Sequence, residues 1–100
     1  MLDVVYMPAA KNYLKKVKDK NLKRKFSDAV LAIRKDPRVG ESKKGDLAGY
    51  MGYDINYNKT YYELAYTVVE DEKGEAVVII MAGTRQNFYE ELKNYLKTLK

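Results

Sequence analysis

Arg85 and Tyr89 stand four residues apart, directly after the apolar run Val77-Val78-Ile79-Ile80-Met81-Ala82 and the glycine Gly83. Six apolar residues ending at a glycine read as a buried strand. The residues after it read as the first turn of a helix. One edge of a sheet then receives a permanent cation and a phenol together. Arginine keeps its proton in a protein and forks onto phosphate oxygens. The pair therefore suits a polyanion such as RNA. The same residues also suit a surface arginine and a tyrosine packed beneath a helix.

The chain has no cysteine and no histidine. That excludes disulfides and thiolate nucleophiles, and nothing calls for an oxidising compartment, so cytoplasm is the default. Zinc lacks its usual ligands, and neither a metal nor a cofactor is expected. The common neutral-pH proton shuttle is missing as well. Acid–base chemistry falls to carboxylates, lysines or tyrosines with displaced pKa values, or to charge stabilisation alone.

The net charge of +5 is unevenly spread. Residues 1–44 hold 13 Lys/Arg against 5 Asp/Glu, and residues 45–100 hold 6 against 9. A basic first half favours phosphate backbones or acidic protein partners, or it solvates the outer faces of two helices. Hydrophobic residues at 46% and charged residues at 33% describe a globular, soluble chain. One hundred residues make a single domain, 1–100. No apolar run approaches the roughly 20 residues that span a bilayer, and no secretory signal is visible at the start.

The elements that must position Arg85 and Tyr89 follow from periodicity. Residues 2–6 read as a strand. Pro8 opens a helix with Ala10, Tyr13, Leu14 and Val17 on one face. The Asp19–Asn21 break can cap a second helix, whose stripe is Leu22, Phe26, Ala29, Val30 and Ile33 and which ends near Pro37. Residues 37–50 read as a loop anchored by Leu47. Tyr53, Ile55 and Tyr57 alternate with polar residues, Asn58-Lys59 makes a tight turn, and Tyr62, Leu64, Tyr66 and Val68 give the inward face of the next strand. Tyr61 and Glu63 fall on its other face. Asp71 to Gly74 makes a turn, 76–82 is the buried strand, and Asn87 with Glu90 offers a capping box for a last helix. The order β-α-α-β-β-β-α predicts an α+β fold: a helical hairpin on a mainly antiparallel four-stranded sheet, with a C-terminal helix.

This order resembles the RelE/ParE superfamily of toxins from bacterial toxin–antitoxin pairs. The resemblance covers nearly the whole chain. It rests on the lysine-rich hairpin, Asp36-Pro37 with Gly40, Lys44-Gly45-Asp46-Leu47-Ala48-Gly49-Tyr50, Tyr62-Glu63-Leu64-Ala65-Tyr66, and Gly83-Thr84-Arg85-Gln86-Asn87-Phe88-Tyr89. The RelE branch implies a ribosome-dependent endonuclease that cuts mRNA in the decoding site, by attack of a ribose 2′-hydroxyl on the neighbouring phosphate without a metal. The ParE branch implies an inhibitor of DNA gyrase. Both imply a cognate antitoxin that wraps the toxin.

Arg85 matches the family arginine after the last strand, and Tyr89 matches the phenol near the C-terminus with a slight change of spacing. The ribonucleolytic pattern also places two lysines and an arginine on the second and third strands. Those positions here hold Asp54, Asn56 and Glu63. Three plans fit. Glu63 or Asp54 serves as general base with Arg85 as phosphate clamp; Lys43, Lys44 or Lys59 fills the vacated space; or the activity has been lost or exchanged. Arg85, Tyr89 and Glu63 are the candidate catalytic residues. Lys15, Lys16, Lys23, Lys43, Lys44 and the surface tyrosine Tyr61 are the candidate RNA contacts, with ribosome, mRNA and antitoxin as partners. A gyrase inhibitor or a plain basic RNA-binding module is the alternative.

Overall fold

The structure, a computed structural model, describes residues 1–99. Pro8 takes the first position of helix α1, Pro8–Lys16, where its missing N–H costs no bond. Asp19 caps helix α2, Lys20–Lys35: its carboxylate accepts from the Asn21 and Leu22 N–H groups at 2.9 and 3.2 Å. The Tyr57 hydroxyl donates to the same carboxylate at 2.9 Å, which ties the bend of the hairpin to the sheet.

Five strands follow the order β1-β5-β4-β3-β2. They are β1 Asp3–Tyr6, β2 Glu41–Ser42, β3 Met51–Tyr57, β4 Thr60–Asp71 and β5 Gly74–Thr84. All neighbours are antiparallel except β1, which lies parallel to β5. The expected class holds, with one strand more than the four expected. Glu41 and Ser42 pair with Gly52 and Met51, and two residues are too few to carry a period. The rest of the 37–50 loop contains two short 3-10 turns, Pro37–Val39 and Gly45–Leu47. Asn58 and Lys59 both take positive φ, as the tight β3–β4 turn requires.

The helical hairpin covers one face of the sheet. Leu22, Phe26, Ala29, Val30 and Ile33 are all buried there, against Leu64, Tyr66, Val77 and Ile79. Helix α3, Phe88–Thr98, covers part of the other face. It buries Phe88 and Leu92 with Leu47, Ala65 and Ile80. A bulge in β5 sets which residues meet α3: Ala65 faces Met81, but Tyr66 faces Ile79. Ile80 and Met81 both pack toward α3, and the alternation beyond them is inverted. Gly83, rather than a residue with a side chain, therefore lies opposite Glu63.

The 37–50 loop is fastened to β4 at both ends. The Tyr66 hydroxyl donates to the Pro37 carbonyl at 2.6 Å and accepts from the Gly40 N–H at 3.0 Å. The Thr67 hydroxyl donates to the Gly49 carbonyl at 2.8 Å. Leu47, the expected anchor, is buried. The capping box expected at Asn87 and Glu90 does not form. Asn87 is left-handed, with φ 59°, and its side chain makes no cap. A side-chain cap needs extended backbone at that residue. Asparagine tolerates the left-handed region, and here it turns the chain back so that Phe88 and Tyr89 reach the sheet. No helix among the described residues is long and apolar enough to cross a membrane.

Candidate functional site

Among the described residues, Glu63 is the one charged residue that is buried, at 2% exposure. Alternation along β4 sends it to the α3 face, beside the rim that Ala65 and Phe88 begin. Asp54 of β3 lies directly opposite it, and Gly83 of β5 lies on its other side. The glycine leaves room there. A Cβ at position 83 would touch the Phe88 ring at 3.7 Å.

Four groups converge on this carboxylate. The Tyr89 hydroxyl donates to Oε2 at 2.8 Å. The Arg85 Nε lies 3.8 Å from Oε1, a loose pairing that leaves the guanidinium 58% exposed. Asp54 faces it across the strands. Lys43 lies over the Tyr89 ring, with Nζ 4.4 Å from the ring centroid. Burial and the facing Asp54 carboxyl push the Glu63 carboxyl from its ordinary 4.5 up to about 7, against the opposing pull of the Tyr89 hydroxyl and of Lys43.

The same contacts act oppositely on Tyr89. Its hydroxyl is pushed well above the usual tyrosine value, first by burial and then by the hydrogen bond to Glu63 and that residue's charge. At neutral pH it is a fixed donor, not an acid. Its ring meets Phe88 edge-on, with centroids 5.1 Å apart.

Arg85 is held by its backbone rather than its side chain. Its N–H donates to the Tyr61 carbonyl at 2.9 Å, and its carbonyl accepts from the Phe88 N–H at 3.2 Å. The guanidinium lies 5.4 Å from the centroid of the Tyr61 ring, an exposed platform beside it. A fixed backbone beneath a half-exposed, always-charged fork can receive a phosphate. The arrangement as a whole offers a carboxyl poised near neutrality, a neutral donor on it, and a cation at its edge. Such a set can take a proton from a hydroxyl and stabilise negative charge developing nearby.

Arg85, Tyr89 and Glu63 thus lie together, with Tyr61 at the rim. Lys43 joins them. Lys44 is exposed in the adjoining turn. Lys15, Lys16 and Lys23 are exposed on the helical hairpin, which covers the other face of the sheet. Lys16 shares a groove with Tyr62 and Thr84 at the end of β5. Sequence reasoning missed Gly52. A Cβ there would run into the Tyr89 hydroxyl and lie 2.9 Å from the Lys43 Cε. A glycine in a strand of alternating residues was the available signal of such a close approach.

A family model described as a ParE-like toxin of type II bacterial toxin–antitoxin systems matches residues 4–93. Similar solved structures include the following three. A YoeB/ParE toxin from Agrobacterium tumefaciens has a TM-score of 0.68 at 18% identity, over 84% of this chain and 99% of that one. The toxin–antitoxin complex RelBE2 from Mycobacterium tuberculosis has 0.62 at 26%, over 84% and 98%. A mutant of E. coli toxin RelE in the free state has 0.70 at 15%, over 99% and 98%. No curated protein matches the chain in sequence.

Proposed function

The chain belongs to the ParE-like toxin family of type II bacterial toxin–antitoxin systems, and we propose that it acts as a metal-independent endoribonuclease on mRNA at the ribosome. The observation that carries this reading is Glu63: a buried carboxyl near pKa 7, hydrogen-bonded to Tyr89 and edged by Arg85. In its ionised form Glu63 takes the proton of a ribose 2′-hydroxyl. The 2′-oxygen bonds to the adjacent phosphorus, the bond from phosphorus to the 5′-oxygen breaks, and that oxygen leaves with a proton from solvent. The products are a 2′,3′-cyclic phosphate and a free 5′-hydroxyl. Arg85 stabilises the charge that collects on the phosphoryl oxygens. Tyr89 holds the base in place and favours its ionised form.

Inhibition of DNA gyrase is the second reading. It is favoured by the ParE-like family match and by Asp54 and Asn56, which leave β3 without a cation. A cognate antitoxin is the expected partner on either reading, and RelBE2 is itself a toxin–antitoxin complex.

Primer extension on mRNA in a translating extract tests the first reading, with a gyrase supercoiling assay in parallel. Wild type should give ribosome-dependent cuts. Arg85→Ala should reduce them by roughly a hundred- to thousandfold, the usual cost of losing one such contact. Intact mRNA together with inhibited supercoiling would overturn the nuclease in favour of the second reading.

A further inference from the structure

Resting on that reading of the site, we propose that Lys43 is a catalytic residue, its ammonium contacting the scissile phosphate from the β2 side and facing Arg85 across Glu63. Three observations carry the placement. First, the Lys43 side chain is only 21% exposed, although it leaves a loop. Lysines in loops ordinarily project into water. Second, its backbone is fixed. It follows β2, its N–H donates to the Tyr50 carbonyl at 3.0 Å, and Tyr66 and Thr67 fasten the loop on either side. Third, the stem runs over Gly52, where any larger residue would block both Lys43 and Tyr89. The fold thus keeps a passage in β3 through which a loop lysine reaches the site.

The charges explain what the passage is for. The groups facing Glu63 are Asp54 on β3, Arg85 after β5, Tyr89 on α3 and Lys43 from the loop after β2. Without Lys43, one cation would stand against the two carboxyls of Glu63 and Asp54, and a phosphate gaining charge would be repelled. Asp54 and Asn56 offer no cation from β3 on this face. Lys43 restores the balance from outside the central strands. In the free chain its Nζ bonds Glu41 at 2.7 Å, but the Glu41 side chain is 79% exposed. An ion pair open to water on one side is weak and easily exchanged. A cleft of about 180 Å³ lies at Lys43, Gly52 and Asp54, with room for a phosphate beside the lysine. Lysine can then leave Glu41 for the phosphate while its stem stays over Gly52.

The test compares Lys43→Met and Lys43→Arg with wild type and with Lys73→Met in the distant β4–β5 turn. Cleavage is read on programmed ribosomes across pH. Binding is read with mRNA carrying a 2′-deoxyribose at the cut position, which cannot react. Lys43→Met should lower cleavage about a hundredfold, weaken binding of the 2′-deoxy RNA, and move the acidic limb of the pH profile upward, since a cation that favours the ionised Glu63 is gone. Lys43→Arg should recover much of the loss, and Lys73→Met should behave as wild type. A purely structural lysine would leave the pH limb in place. Should Lys43→Met bind and cleave as wild type does, the inference is overturned. Should wild type cleave nothing while Lys43→Met still weakens RNA binding, the nuclease reading fails and the phosphate contact stands. Should wild type cleave nothing and Lys43→Met bind equally well, both fail.

Discussion

Replacing Glu63 by Gln should make this protein more stable in alkali while removing its activity. Glu63 is buried beside Asp54, and its carboxyl is raised from 4.5 to about 7. A carboxyl with a raised folded-state pKa binds more protons folded than unfolded. The contribution of this one group to stability is therefore fullest below pH 4.5, falls as pH rises through 4.5 to about 7, and levels off above. The displacement of two and a half units corresponds to roughly 3 kcal/mol, lost between those limits. A glutamine in its place mimics the neutral acid: its carbonyl can accept from Tyr89 and its amide can donate to Asp54. The variant should then show little of this pH dependence. Urea denaturation of both proteins from pH 4 to 9 reads the difference directly. The curves should nearly coincide at pH 4 and separate by roughly 3 kcal/mol at pH 8, with Glu63→Gln the more stable. Equal stabilities at pH 8 would mean that the carboxyl ionises without cost, and the argument for a base near neutrality would fall with it.

Tyr89→Phe removes the hydroxyl but keeps the ring beneath Lys43. A hydrogen bond to a charged group is worth about 1.5–3 kcal/mol, so the acidic limb of the pH–rate profile should move up by roughly one to two units; an unmoved limb would separate Tyr89 from Glu63. Gly52→Ala should displace Tyr89 and Lys43 together and abolish growth inhibition while the sheet still forms, since β3 is extended at Gly52 and tolerates alanine; full toxicity with unchanged circular dichroism would show that the passage is not needed. Lys15, Lys16 and Lys23, all exposed on the hairpin, should affect attachment alone. Changing all three to Glu should leave the urea midpoint near wild type and lower the salt dependence of ribosome binding by about two to three log units per log salt; an unchanged slope would make them solvating residues.

The parts legible in the sequence were those fixed by neighbours a few residues away. The α2 stripe, the Asp19 cap, the Asn58-Lys59 turn and the Leu47 anchor each depend on local spacing, and each is found where that spacing puts it. Arg85 and Tyr89 were legible because one strand and one turn deliver both. What the spacing could not show was the state of Glu63. A glutamate alternating with apolar residues reads as facing water, and only a helix some 25 residues further on closes over it. The β5 bulge was equally silent, yet it decides that Gly83 and not a bulkier residue lies beside the carboxyl. Asn87 misled because the same side chain serves a cap or a left-handed bend, and the bend is chosen by where Phe88 packs. The acidic residues at 54 and 63 look adverse to an anion only while the cations are sought on the same strands. Once a loop lysine passes over a glycine and an arginine follows the last strand, the carboxylates lie between two cations. A site built that way depends on positions 43, 52, 63, 85 and 89 meeting in space, and no period in the sequence relates them.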